Sequence, residues 1–145
     1  MYNFKVKSII HDYEVQFIDD VKRTLNELLC EGDFIIIDNK VKELYNDTFK
    51  DTIHKYAHIG IDATEKQKSY KEVTPIIQHL IDNGFRKNHR LIAVGGGITQ
   101  DATAFISSIM YRGVSWLFFP TTLFAQGSCC LGIKTSINFV DYINQ

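Results

Sequence analysis

Cysteine is scarce, with three in 145 residues: Cys30 stands alone and Cys129 and Cys130 are neighbours. An odd count without ligand-type spacing excludes a disulfide framework and a cysteine zinc site, and reads as reduced thiols in a cytoplasmic protein. Proline is scarcer still, at two, and no Pro-, Gly- or Ser-rich stretch, repeat or low-complexity tract divides the chain. Neither sign of charge dominates: 16 Lys and Arg against 17 Asp and Glu leave a net charge of -1. That balance excludes nucleic acid or an anionic membrane as the main partner. No apolar run approaches the length of a membrane span, and "MYNFKVKSII" alternates basic and apolar residues instead of forming a signal core.

What the chain does have is 45% hydrophobic residues in a domain-sized length, enough for one buried core. "NFKVKSIIHDYEVQFI" alternates around His11 and Asp12, which predicts an antiparallel hairpin on the sheet edge. "DDVKRTLNELLC" places Val21, Leu25, Leu28 and Leu29 on one helical face, and "DFIIID" reads as a strand buried on both sides. A short helix over "NKVKELYNDTF" and a weaker strand, "KYAHIGID", follow. Ser69 to Asn83 carries Val73, Ile76, Ile77, Leu80 and Ile81 at helical spacing and stops at Gly84. "RLIAV", the helix "TQDATAFISSIMYRG" with Ala102, Phe105, Ile106, Ile109 and Met110 inward, and the strand "VSWLFF" ending at Pro120 complete the alternation. Strands and helices in turn predict an α/β fold, a parallel sheet covered on both faces through right-handed crossovers.

In such a sheet ligands sit beyond the carboxyl ends of the strands, so the loops after Asp38, Asp62, Val94 and Pro120 share one rim. Gly95, Gly96 and Gly97 join a strand to a helix, where glycine allows a tight turn and brings bare amides to a pyrophosphate. Asp101 is expected in the first turn of that helix. The spacing is not GxGxxG, and a tight turn with no ligand would show the same three glycines. In "ATEKQKSY", Glu65 can accept from ribose hydroxyls and Lys68, three residues on, can face phosphate, although those letters by themselves favour a solvated first turn, since charge at a helix start is common. Thr121 and Thr122 offer hydroxyls at a strand end, or cap a helix, and Lys134 can supply charge and a proton donor, or lie on the surface. His54 and His58 have the spacing of a helical metal pair, but His58 falls in an expected strand and no third ligand is evident. Neither they nor Cys129 and Cys130 receive a role.

Residues 35 to 138 resemble the dehydroquinate synthase, or sugar phosphate cyclase, family in ordered blocks. "IIIDNKVKELY" is similar to its second-strand aspartate segment and "ATEKQKSY" to its Gly-Glu-x-x-Lys-Ser block. "AVGGGITQDATAFISSIMYRGVSWLFFPTTLFAQ" resembles Gly-Gly-Gly-x-x-x-Asp, Gly-Phe, Arg-Gly and Pro-Thr-Thr-Leu. The resemblance implies a Rossmann-like NAD-binding domain spanning 1–145, cut off before a helical domain in which a glutamate and two histidines hold zinc or a similar divalent metal. It implies that Asp38, Glu65, Lys68, Gly95, Gly96, Gly97, Asp101, Thr121 and Thr122 hold NAD. Lys134, the catalytic candidate, and Asn138 would face a sugar phosphate, with Lys134 also near the cofactor. It further implies a homodimer and a phosphate-eliminating cyclase. In that reaction NAD oxidises a secondary alcohol, phosphate leaves, the hydride returns and an aldol step closes the ring.

The sequence departs from the family pattern where Ser128 stands for an aspartate, Ile133 for a glycine, Ile143 for a lysine beside Asn144, Thr64 for a glycine and Ala104 for a glycine. Loss of a carboxylate and a lysine leaves the sugar substrate open. The alternatives are a domain like the polyol and alcohol dehydrogenases and a nucleotide-binding module without catalysis.

Overall fold

The computed structural model describes residues 3–7, 12–129, 135–140 and 142–144. β1 (Phe4–Val6) and β2 (Tyr13–Val15) pair antiparallel, with Lys5 opposite Glu14. The expected edge hairpin is instead a sheet of its own. Its strands close on themselves, Phe4 packing on Phe17 at 6.3 Å and the Phe17 amide donating to Asn3 Oδ1 at 3.1 Å. A groove of about 1240 Å³ lies between Phe17 and Ile18 on the hairpin side and Trp116 and Phe118 opposite.

α1 (Val21–Leu28) starts at Asp20, whose carboxylate accepts from the Arg23 amide at 2.9 Å, an N-cap worth about 1 kcal/mol. β3 (Phe34–Asp38) is buried along its whole length. One helix was expected next; there are two, α2 (Asn39–Leu44) and α3 (Asn46–Lys55), because Tyr45 leaves helical geometry at φ -118°, ψ 36°. Asn46 and Asp47, residue types that favour helix starts over helix interiors, begin the second. His54 lies in the last turn of α3 and His58 in β4 (Ala57–Ile61), so the pair shares no helical face. A 3-10 turn (Glu65–Gln67) leads to α4 (Tyr70–Asp82), which Ser69 caps and which contains Pro75. The chain leaves α4 through Gly84 at φ +72°, a left-handed position that glycine takes without steric cost. β5 (Leu91–Gly95), α5 (Gly97–Ile109), a 3-10 turn (Met110–Arg112), β6 (Trp116–Pro120) and α6 (Leu123–Gly127) follow.

The main sheet runs β4-β3-β5-β6, with every pairing parallel. Period-2 alternation divides its strands between two cores. Ile36, Leu91 and Ile61 pack with Val73, Ile76 and Leu80 of α4 and Ala102 and Ile106 of α5. Ile35, Ile37, Ile92 and Val94 pack with Leu25 of α1 and Phe49 of α3. Each of these side chains larger than Ala102 contributes roughly 1.5–3 kcal/mol on burial. Ile81 and Ile109, read as inward-facing, are 51% and 46% exposed. The inner face of α5 includes Thr99 and Thr103 instead.

Because all four strands are parallel, Asp38, Ile61, Gly95 and Pro120 end at one rim, as the alternation predicted. The order has a switch point. From β3 the chain moves outward to β4, then crosses back to β5 on the other side. The crevice between the carboxyl ends of β3 and β5 is where open α/β sheets bind ligands.

Candidate active site at the sheet rim

Two groups of side chains form on this rim. The first sits at the switch point. Asp38 is 9% exposed, and one of its oxygens accepts from the Lys40 amide at 2.8 Å, capping α2. Gly95 is flush against it: a Cβ there would lie 3.2 Å from the Asp38 Cβ and collide with Thr99 Oγ1. A Cβ on Gly96 would lie 3.2 Å from Thr122 Cγ2, and one on Gly97 would meet Cys129 Sγ at 3.6 Å. None of the three has positive φ. The turn itself therefore does not demand glycine; close approach of neighbouring groups does, most strictly at Gly95. Gly96 N-caps α5 without a side-chain hydrogen bond. The first amides of this helix thus meet no capping side chain at its positive end.

Thr121 and Thr122 reach the same place from β6. The Thr121 amide donates to the Gly95 carbonyl at 2.9 Å, and its Oγ1 is buried without a hydrogen-bond partner. Thr122 Oγ1 accepts from the Ala125 amide at 3.2 Å and so caps α6. Gln100, 6% exposed, ties α5 to the following loop through Nε2 to the Cys129 carbonyl at 2.7 Å. Across the crevice, Asn39 Nδ2 donates to Asp62 Oδ1 at 2.7 Å, linking the loops after β3 and β4.

The second group centres on Lys68. It is no solvated first turn: Lys68 is 6% exposed. Its ammonium lies 3.4 Å from Glu65 Oε1, 3.2 Å from Asp101 Oδ2 and 2.5 Å from Asn144 Oδ1. Asp101 is the fifth residue of α5, not in its first turn, because the helix already begins at Gly97. One full turn further in, its carboxylate points at Lys68 rather than at the amides of the helix start. Asn138 ties Glu65 and Lys68 to Asn144. Its Nδ2 donates to Glu65 Oε1 at 2.9 Å, its amide donates to the Lys68 carbonyl at 2.7 Å, and its Oδ1 accepts from the Asn144 amide at 2.9 Å. The Asn138 hydrogen bond, and then the Lys68 charge, hold the Glu65 carboxyl below its ordinary range.

Of the expected site residues, the structure gathers Asp38, Gly95, Gly96, Gly97, Thr121 and Thr122 into one group, and Glu65, Lys68, Asp101 and Asn138 into another, with α5 joining the two. Lys134 lies outside the described residues. Ser136 and Asn144, given no role from sequence, belong to the second group: Ser136 Oγ is 3.1 Å from Asp101 Oδ2 and 3.2 Å from Asn144 Oδ1. Their only sequence signal was the Asn retained beside Ile143. Among the described residues no group of three or more His, Cys, Asp and Glu could hold a metal ion, and no helix is long and apolar enough to cross a membrane.

Residues 58–145 match the family model described as 3-dehydroquinate synthase N-terminal. A 3-dehydroquinate synthase of Streptococcus equi subsp. equi is 35% identical over 147 residues, which cover 97% of this chain and 41% of that protein. The chain thus spans less than half the length of such relatives. Among solved structures, 2-deoxy-scyllo-inosose synthase complexed with carbaglucose-6-phosphate, NAD+ and Co2+ has the same fold. Its TM-score is 0.83 at 21% identity, over 99% of this chain and 42% of that one. The 2-epi-5-epi-valiolone synthase of Streptomyces hygroscopicus, with NAD+ and Zn2+ bound, superposes with TM-score 0.69 at 27% identity over 78% of this chain and 33% of its own. The chain belongs to the 3-dehydroquinate synthase family, whose N-terminal part it matches.

Proposed function

We propose that residues 1–145 are the NAD-binding domain of a sugar phosphate cyclase. The observation that carries this reading is the switch point between β3 and β5, where Asp38 and the bare Gly95–Gly97 backbone converge. The residues present fit a dinucleotide. The cradle is one that a side chain on Gly96 would fill, the start of α5 has no side-chain cap, and Thr121 Oγ1 is a buried hydroxyl without a partner. In this reading the Gly95–Gly97 amides and the helix start receive the pyrophosphate. Asp38 and Glu65 accept from ribose hydroxyls, and Thr121 and Thr122 close the β6 side. Lys68 holds the Glu65 and Asp101 carboxylates in place.

The group these residues would hold, NAD, would supply reversible hydride acceptance, with no net redox change over a cycle. The chain's own residues bind and orient. Lys134 offers positive charge and a proton donor to the substrate phosphate, and Asn138 faces the substrate hydroxyls. The metal of the family has no ligand set among the described residues, and no step here is routed through it. The product stays open between dehydroquinate and the products of cyclases that act on other heptulose phosphates, because Ser128 replaces a carboxylate and Ile143 a lysine.

Calorimetric titration with NAD tests the reading. Binding is expected to the wild-type chain and to be lost in Gly96→Leu, whose side chain fills the cradle, while circular dichroism stays unchanged. Absence of binding at millimolar NAD, or equal binding by a folded Gly96→Leu, overturns it.

A further inference from the structure

α2 has only six residues, a length that is marginal as a helix in water on its own, so its contacts with the sheet decide how well it holds. Val41 anchors its inner side in the core. Two polar side chains then tie it to β4, the outer strand of the four-stranded sheet. At the start of α2, Asn39 Nδ2 donates to Asp62 Oδ1 at 2.7 Å. In its last turn, Lys42 Nζ lies 3.4 Å from His58 Nε2.

The chemistry of the second contact fixes the protons on the imidazole. An ammonium carries donors and no acceptor, so Lys42 requires a bare lone pair on Nε2. The ring proton then belongs on Nδ1, which lies 3.4 Å from the Tyr56 carbonyl, an acceptor. Neutral His58 satisfies both neighbours in this one tautomer. Imidazolium satisfies Tyr56 alone: its Nε2 gains an N–H that faces an ammonium, donor against donor and charge against charge. The other ionisable groups that act on the ring are His79 of α4 and His54 of α3. No carboxylate is among them, so a proton on the ring meets no compensating charge. Burial first, and then Lys42, His79 and His54, hold the imidazole below its ordinary value against the opposing pull of the Tyr56 carbonyl.

We propose that Lys42 and His58 form an acid-released tie. Neutral His58 holds the last turn of α2 against the edge strand, and one proton taken from solvent onto Nε2 breaks the contact and frees that turn. The first turn stays held, because Asn39–Asp62 and the Asp38 cap do not involve the imidazole. This inference does not rest on the cofactor reading.

The test is nitrogen-15 NMR of the histidine rings and backbone amides in the 145-residue chain and its Lys42→Met variant, from about pH 8 down to about pH 5, the range in which histidine changes charge. At the upper end His58 is expected to carry its proton on Nδ1; a proton on Nε2 overturns the tie. As the ring takes up its second proton, the amides of Glu43, Leu44 and Tyr45 are expected to exchange several-fold faster, once the intrinsic pH dependence is divided out, with the same midpoint as the ring. Exchange that shows no step at that midpoint overturns it. Lys42→Met keeps the stem and removes the charge. It is expected to shift the His58 midpoint upward and to abolish the step, and an unshifted midpoint counts against the tie. Should the variant fail to fold, the tautomer and the exchange step of the wild type decide the question by themselves.

Discussion

Gly95 and Gly97 stand two residues apart under different constraints. A methyl on Gly95 collides with Thr99 Oγ1 and crowds the Asp38 Cβ, whereas one on Gly97 meets only Cys129 Sγ at ordinary contact distance. Gly95→Ala is therefore expected to cost about 1–3 kcal/mol in urea unfolding. Gly97→Ala is expected to lie within about 1 kcal/mol of wild type, since alanine favours the helix it enters. Glu65 supplies a pH dependence. Its folded pKa lies below the ordinary 4.5 because Asn138, and then Lys68, stabilise the carboxylate. Its contribution to stability is thus present above that ordinary value and lost as pH falls through the lower, folded one. Unfolding midpoints measured from pH 6 downward should drop, and Glu65→Gln should flatten the drop. The letters Glu65 and Lys68 were readable as a site, but the burial of Lys68 was not: it depends on Asp101 and Asn144, 33 and 76 residues away in sequence.

At the level of elements, the strands and helices were readable because period-2 and period-3.6 patterns are strong where both faces are buried. Chain reversals were less so. Tyr45 breaks a helix with neither glycine nor proline, and the hairpin pairs with itself for reasons of local packing rather than pattern. The amino ends of β3 and β5 carry a feature that no motif announced. Arg90 forks onto Asp33 with Nη2–Oδ2 at 2.5 Å and Nε–Oδ1 at 2.9 Å, and Asp33 is 3% exposed. Arg90→Ala removes the counter-charge and leaves that buried carboxylate the Cys30 amide, 2.8 Å from Oδ2, and is expected to cost about 3 kcal/mol. Because this lock lies at the opposite end of the strands from the rim, calorimetry on the folded variant should return wild-type affinity for NAD.

For the molecule as a whole, sheet order was the decisive quantity, and sequence alone did not contain it. Alternation predicts a parallel sheet; only the observed β4-β3-β5-β6 order puts the crevice between Asp38 and Gly95. On the cyclase reading, mixing the chain with NAD and assorted polyols gives no accumulation of reduced nicotinamide absorbance; steady accumulation would favour a dehydrogenase. On the substrate side the sequence named Lys134 and Asn138, of which Lys134 lies outside the described residues. Pro75 has a consequence for how this molecule moves. Lacking an N–H, it cannot donate to the Lys71 carbonyl, so the first turn of α4 is joined weakly to the rest of its own helix. The Tyr70 amide in that turn donates to the Asn138 carbonyl at 3.0 Å. The opening turn of α4 is thus tied to Asn138 outside the helix, while its own helical ladder lacks one bond at Pro75. Amide exchange along α4 should show a step there, fast before it and slow after it.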